Sequence, residues 1–175
     1  ARVQAGKFSL EPERIDLAQL VSECVESQRP RAEAKGVSVL LDAPASLPLV
    51  GDPARLSQLA DNLVSNAIKF TLEGGDVRVR LSDEAGTVRL EIADSGIGIP
   101  AAEQEQLFQR FFRASTATSQ KIQGTGLGLT ITKTIAEGHG GAISFTSEVG
   151  IGTTFVVELP LVGSAAQDGE RELAA

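Results

Sequence analysis

The 175 residues hold 16 lysines and arginines against 23 aspartates and glutamates, a formal charge of −7, and 42% of the side chains are apolar. This length suits one domain with a real core. The acidic balance argues against a nucleic-acid-binding surface, which shows a basic patch, but leaves nucleotides open, since a triphosphate needs only a few local cations, amides and a metal. A single cysteine, Cys24, excludes an internal disulfide and fits a reducing compartment. No apolar run approaches the ~20 residues of a membrane span, and no signal peptide opens the chain. The chain begins at Ala1 without an initiator methionine and is expected to be a piece of a longer protein.

Residues 1–15, with Gly6 and Pro12, read as an irregular leading segment. Asp16 then caps a predicted helix over 17–35, where Leu17, Leu20, Val21, Cys24 and Val25 recur at helical spacing. Pro30 is expected to kink it and Gly36 to end it. A short strand follows over 37–41, and 43–51, with two prolines, reads as loop. Asp52-Pro53 opens a second helix whose apolar stripe is Leu56, Leu59, Ala60, Leu63 and Ala67. Gly74-Gly75 turns the chain into two alternating strands, 77–81 and 88–93, which form a hairpin. Residues 94–125 are rich in glycine, serine, threonine and glutamine around Phe108, Phe111 and Phe112. A third long helix is predicted over 126–137, then strands over 142–147 and 153–159 and a frayed tail over 161–175. The expected fold is a two-layer α/β sandwich, a mixed and mostly antiparallel sheet covered on one face by about three helices.

Four stretches carry chemistry. In the second helix, Asn62, Asn66 and Lys69 fall at i, i+4 and i+7, a narrow polar stripe beside the apolar one. Either the asparagines bond to a neighbouring loop, or Asn66 offers its carbonyl oxygen to a metal while Lys69 reaches a phosphate. Asp94-Ser95-Gly96-Ile97-Gly98-Ile99-Pro100 follows a strand. It is either a glycine turn with Asp94 as a helix cap, or a backbone that lets a flat ligand approach while Asp94 accepts from an exocyclic amine. Leu107 to Arg113 is either a core-facing amphipathic turn or a mobile segment whose Arg110 and Arg113 swing toward phosphate. Gly124-Thr125-Gly126-Leu127-Gly128-Leu129 opens a helix, and exposed amides there make an anion site. No GxxxxGK[ST] occurs, so this is not a Walker loop, nor does it sit in the βαβ unit of a Rossmann fingerprint.

The order and residue types of these four stretches resemble the N, G1, F and G2 boxes of the histidine kinase catalytic domain. That family, of the Bergerat fold, also includes gyrase B, the Hsp90 chaperone and the mismatch-repair protein MutL. The resemblance runs from about Phe8 to Pro160 and includes Gly51-Asp52-Pro53-Ala54-Arg55-Leu56 and Gly152-Thr153-Thr154-Phe155. It implies an ATP-binding domain over 16–160, with residues 101–124 as a lid over the nucleotide. By resemblance Asn66 coordinates Mg2+ on the ATP phosphates, supported by Asn62; Lys69 touches a phosphate and Phe70 lies near the adenine or ribose. Asp94 accepts the adenine amino group, helped by a water near Gly98 and Thr154, with Gly96 in the same turn. Ile92, Ile99, Leu129 and Phe155 wall the base, Gly124 to Leu129 bind the nucleotide with the amides of Gly126 to Leu129 meeting the phosphates, and Arg113 approaches the γ-phosphate, with Arg110 a weaker candidate.

The implied reaction is transfer of the γ-phosphate to a histidine on a separate dimerisation and phosphoacceptor domain, with a response regulator receiver domain downstream. The ATPase relatives carry a water-activating glutamate where Asn62 stands, which disfavours hydrolysis here. His139, the only histidine, matches a helix-ending turn of the family and not the acceptor motif. The resemblance also implies a cytoplasmic domain, in a family whose parent proteins are often anchored in the plasma membrane. Two rivals share the fold: a nucleotide-binding regulatory module without catalysis, and an anti-sigma-type serine kinase.

Overall fold

The computed structural model describes residues 9–161; the remainder of the leading segment and residues 162–175 of the expected tail lie outside the described residues. Strand β1 (Glu13–Asp16) leads into α1 (Leu17–Lys35), β2 (Ser38–Asp42), β3 (Pro48–Gly51) and α2 (Pro53–Phe70). The hairpin β4 (Asp76–Glu84) and β5 (Thr87–Asp94) follows, then a long connection holding a 3₁₀ turn (Ala101–Gln106) and a short helix α3 (Ser115–Ser119). Helix α4 (Gly128–Gly138) and the strands β6 (Ala142–Glu148) and β7 (Gly152–Pro160) complete the fold.

Both long helices begin and end where their chemistry dictates. Asp16 caps α1 by accepting from the amides of Ala18 and Gln19, and Gly36 ends it at φ 73, a left-handed turn that costs glycine little. Helix α1 continues through Pro30, which lies on its exposed face. Asp52 caps α2 by accepting from the Arg55 amide, with Pro53 in the first turn. At its other end the Lys35 ammonium donates to the carbonyls of Ile68 and Lys69, satisfying acceptors that the last turn leaves open.

The sheet has the order β2-β4-β5-β7-β6, with β2 and β4 parallel and the other pairs antiparallel. Alternation sends Val77, Val79, Leu90, Ile92, Phe155 and Val157 into the core, where they meet Val21, Val25, Leu59, Leu63 and Ile135 from the helices. The opposite face carries exposed Arg78, Arg80 and Glu158 and half-buried Arg89 and Glu91, joined in pairs such as Arg89 with Glu158 at 3.2 Å. Such surface pairs stabilise by at most about 1 kcal/mol each. This is the expected two-layer sandwich.

The expectation of an irregular start and a loop over 43–51 is corrected: β1 and β3 form a separate two-stranded antiparallel ribbon, with Glu13 opposite Gly51. Each strand has four residues, and their pairing partners are distant in sequence, so neither segment shows a period of its own. The third long helix starts at Gly128 and not at 126, because Gly126 takes φ 73, outside the helical region.

Candidate functional site

The ends of β5 and β7, one face of α2, the start of α4 and the connection between β5 and α4 enclose a cavity of about 360 Å³. Helix α2 contributes Asn62, Asn66, Lys69 and Phe70, so the polar stripe does border the cavity. Asn62 Nδ2 makes one long hydrogen bond, 3.4 Å, to the carbonyl oxygen of Gly128, and the Asn66 amide has no protein partner among the described residues. The Lys69 ammonium lies 4.8 Å from the centre of the Phe70 ring. Burial depresses its pKa first, and the cationic side chains of Arg31 and Arg113 depress it further. Lys69 and Arg113 therefore bring positive charge to the cavity of an acidic protein. Arg31, on α1, is a contributor that sequence reading missed, because only the packing of α1 on α2 brings it there.

Asp94 lines the same cavity. The amides of Gly96 and Thr153 both donate to its Oδ1, at 2.9 and 3.2 Å, which leaves Oδ2 without a protein partner. Burial raises this carboxyl to a pKa of about 6, and those two amides hold it back from rising further. Asp94 does not cap a following helix; its carboxylate lines the cavity. Gly98 and Ile99 line it too, whereas Gly96 does not and acts through its N–H. A Cβ on Gly98, at φ 69, would overlap the carbonyl oxygen of Glu148, so the loop can run this close to the β6–β7 turn only with glycine there.

Ile97, Ile99, Leu107, Leu129 and Phe155 give the cavity apolar walls. Ile92 is fully buried behind them and does not reach the cavity. Gly124, Thr125, Gly126 and Gly128 line the cavity while Leu127 does not, and α4 opens with no side-chain cap. Its first amides are therefore available to an anion, as the sequence suggests.

The alternation of β7 corrects one expectation. Thr153 and Phe155 line the cavity, whereas Thr154, opposite Ala93 and Thr146, points to the other face of the sheet. The period of two already forbids Thr154 and Phe155 from sharing a face, so the sequence held the signal.

The three clustered phenylalanines have separate fates. Phe108 packs edge-on against Phe145, with ring centres 5.7 Å apart; Phe112 lines the cavity; Phe111 is 71% exposed at φ 63. Arg113 lines the cavity and donates to the carbonyl of Ile122, while Arg110 is exposed away from it. Thr116 Oγ1 donates to the Gly98 carbonyl at 2.9 Å, which fastens α3 to the loop that follows Asp94. Thr116, Ala117 and Gln123 are lining residues that composition alone did not single out.

An unpartnered acceptor beside apolar walls, together with cations and open helix amides, defines a nucleotide-binding domain. The chain belongs to the family of histidine kinase-, DNA gyrase B-, and HSP90-like ATPases, which residues 51–163 match. Its relatives place it among the ATP-binding catalytic domains of sensor histidine kinases. The sensor-like histidine kinase SenX3 of Mycolicibacterium smegmatis is 36% identical over 160 residues, covering 91% of this chain and 42% of that protein. The signal transduction histidine-protein kinase BarA of Escherichia coli is 39% identical over 161 residues, covering 89% of this chain and 18% of that protein. The chain thus spans less than half of these relatives. The solved catalytic domain of histidine kinase ThkA superposes with a TM-score of 0.77 at 30% identity, covering 87% of this chain and 97% of that one. Among the described residues no helix is long and apolar enough to cross a membrane.

The two threonines make a paired test of the site. Thr153→Val removes a cavity-lining hydroxyl that bonds Ser147 Oγ at 2.7 Å, and ATP affinity should fall about 5-fold. Thr154→Val should leave affinity within about twofold. Calorimetric titration of both variants checks the assignment, and equal losses would refute it.

Proposed function

We propose that this domain binds Mg-ATP and presents its γ-phosphate to a histidine on a separate dimerisation and phosphoacceptor domain of the same kinase, with a response regulator receiver domain as the next partner. The observation that carries this reading is the polarity of one cavity. Its lining combines an acceptor without a protein partner, Asp94 Oδ2, with the side-chain amides of Asn62 and Asn66, the cations Lys69 and Arg113, and apolar walls. The adenine amino group suits Oδ2, and the apolar walls suit the ring. Lys69, Arg113 and the open amides of α4 offset phosphate charge, which is most of what phosphoryl transfer asks of a protein. The connection over 101–124 serves as the lid, tied down at Gly98 by Thr116.

Magnesium fits this donor set. Among the described residues no group of three histidine, cysteine or carboxylate side chains could hold a metal alone. The Asn66 oxygen has no protein partner, so it would supply one ligand, with phosphate oxygens and water supplying the others. Held there, the ion would supply positive charge that offsets the charge of the phosphates during transfer. Asn62 cannot take a proton from water, so hydrolysis is disfavoured. His139 is no acceptor either, because main-chain groups engage both its ring nitrogens. In the transfer itself a P–N bond forms to the acceptor imidazole as the bond to the β-phosphate oxygen breaks, and ADP leaves with that electron pair.

Incubating the chain with labelled ATP and the phosphoacceptor domain of its own parent should give acid-labile phosphate on that domain. Asn66→Ala should lower the rate at least about a hundredfold. Tight ATP binding with no transfer would favour a regulatory module, and acid-stable phosphate on a serine would favour a serine kinase; either result refutes the proposal.

A further inference from the structure

The only histidine of the chain is absent from the cavity lining, yet both its ring nitrogens are bound to main chain. Nδ1 lies 2.8 Å from the carbonyl oxygen of Ile135, one turn back on α4. Nε2 lies 3.0 Å from the amide nitrogen of Asp52, the residue that caps α2. A carbonyl only accepts and an amide N–H only donates, so these partners assign the ring: neutral, with its proton on Nδ1 and a lone pair on Nε2. Asp52 is itself held on both sides, Oδ1 accepting from the Arg55 amide at 3.0 Å and Oδ2 from the Glu11 amide at 2.9 Å. Gly51 lies close to the ring and to two leucines: a Cβ there would come within 2.7 Å of Leu56 Cδ1, 3.1 Å of Leu49 Cδ1 and 3.3 Å of His139 Cδ2.

The consequence follows from which elements are joined. The imidazole ties the last residues of α4 to the first of α2. Asn62 and Asn66 line the cavity from α2, and α4 opens onto it through its uncapped amides. At the cavity end the two helices are joined by the 3.4 Å contact of Asn62 with the Gly128 carbonyl, longer than the 3.0 Å bond at His139.

We propose that His139 is a positioning residue for nucleotide binding: as a neutral Nδ1–H imidazole it fixes where α4 sits along α2, and so the spacing between the amides that open α4 and the Asn62–Asn66–Lys69 stripe. This rests on reading the cavity as the nucleotide site.

Three variants test it. Glutamine at 139 reaches far enough to accept from the Asp52 amide, asparagine reaches only the Ile135 carbonyl, and alanine reaches neither. ATP affinity should stay within about threefold of wild type for His139→Gln and fall about tenfold for His139→Asn and His139→Ala, with circular dichroism showing each folded. The nitrogen NMR spectrum of the wild-type ring should show a protonated Nδ1 and an unprotonated Nε2, free of overlap because there is one histidine. A folded asparagine or alanine variant with wild-type affinity, equal losses for glutamine and asparagine, or a ring protonated on Nε2 would overturn the proposal. A wild-type chain that binds no nucleotide would overturn both the cavity reading and this role. The nitrogen spectrum separates the two failures, since it reports the clasp without nucleotide.

Discussion

Asp94→Asn is expected to stabilise the nucleotide-free chain while lowering its affinity for adenine nucleotides about a hundredfold. The carboxyl has a folded-state pKa of about 6, raised by burial from 3.8. A carboxyl that holds its proton more tightly when folded costs nothing below pH 3.8, where both states are protonated. The cost grows between 3.8 and about 6 and is complete at neutral pH. Its size is on the order of 1–3 kcal/mol, discounted for the part of the group that still meets solvent. Asparagine keeps the oxygen that accepts from Gly96 and Thr153 and removes the charge. It then turns an NH2 group toward the adenine amine, setting donor against donor.

Thermal unfolding at pH 7.5 should therefore show a higher midpoint for the variant, and the gain should vanish by pH 4. Nucleotide affinity of the wild type should weaken as pH falls below about 6, while that of the variant stays flat beside it. Affinity preserved in Asp94→Asn, or no gain in midpoint, would refute the assignment of Asp94.

Gly152→Ala should cost on the order of 3–5 kcal/mol, enough to unfold a marginal domain. Gly152 sits at φ 141, and a Cβ there would overlap the carbonyl oxygen of Asp94. That atom belongs to the central strand of the sheet, so it cannot move aside as a flexible side chain would. Gly74 and Gly150 supply the control. They adopt φ 84 and 79 with nothing within 4 Å of an added Cβ, so alanine at either bears only the backbone term of about 1 kcal/mol. Urea unfolding of the three variants separates clash from conformation, and equal losses at all three would show that Gly152 is not a packing constraint. The position matters to the site because the next amide, that of Thr153, holds Asp94 in place.

What the sequence revealed depended on whether the signal was local. Helix α1 was legible at both ends and α2 at its start because Asp16, Gly36 and Asp52 are caps, and caps act within a few residues. The polar stripe on α2 and the glycines around Asp94 were equally readable, because helical spacing and turn chemistry are short-range. The β1–β3 ribbon was not, since neither strand exists without its distant partner. Nor were the fates of Phe108, Phe111 and Phe112, whose surroundings are set by β6, the cavity and solvent. Arg31 and His139 belong to the same class: one acts beside a lysine of another helix, the other on the cap of α2. Thr154 was a different failure, because the strand's alternation was in the sequence and Thr153 was the residue it favoured.

The connection between β5 and α4 has a consequence for tolerance to change in length. Its ends are fixed by the strand pairing of Asp94 with Thr153 and by the seating of α4 on α2, so it forms one loop of roughly thirty residues on a closed framework. Closure entropy grows only with the logarithm of length, and ten further residues would cost roughly 0.2–0.3 kcal/mol. The scaffold is nearly indifferent to how much chain arches over its cavity. Insertions and deletions there are a cheap route by which this architecture can vary what it covers, and for how long, without disturbing the core beneath.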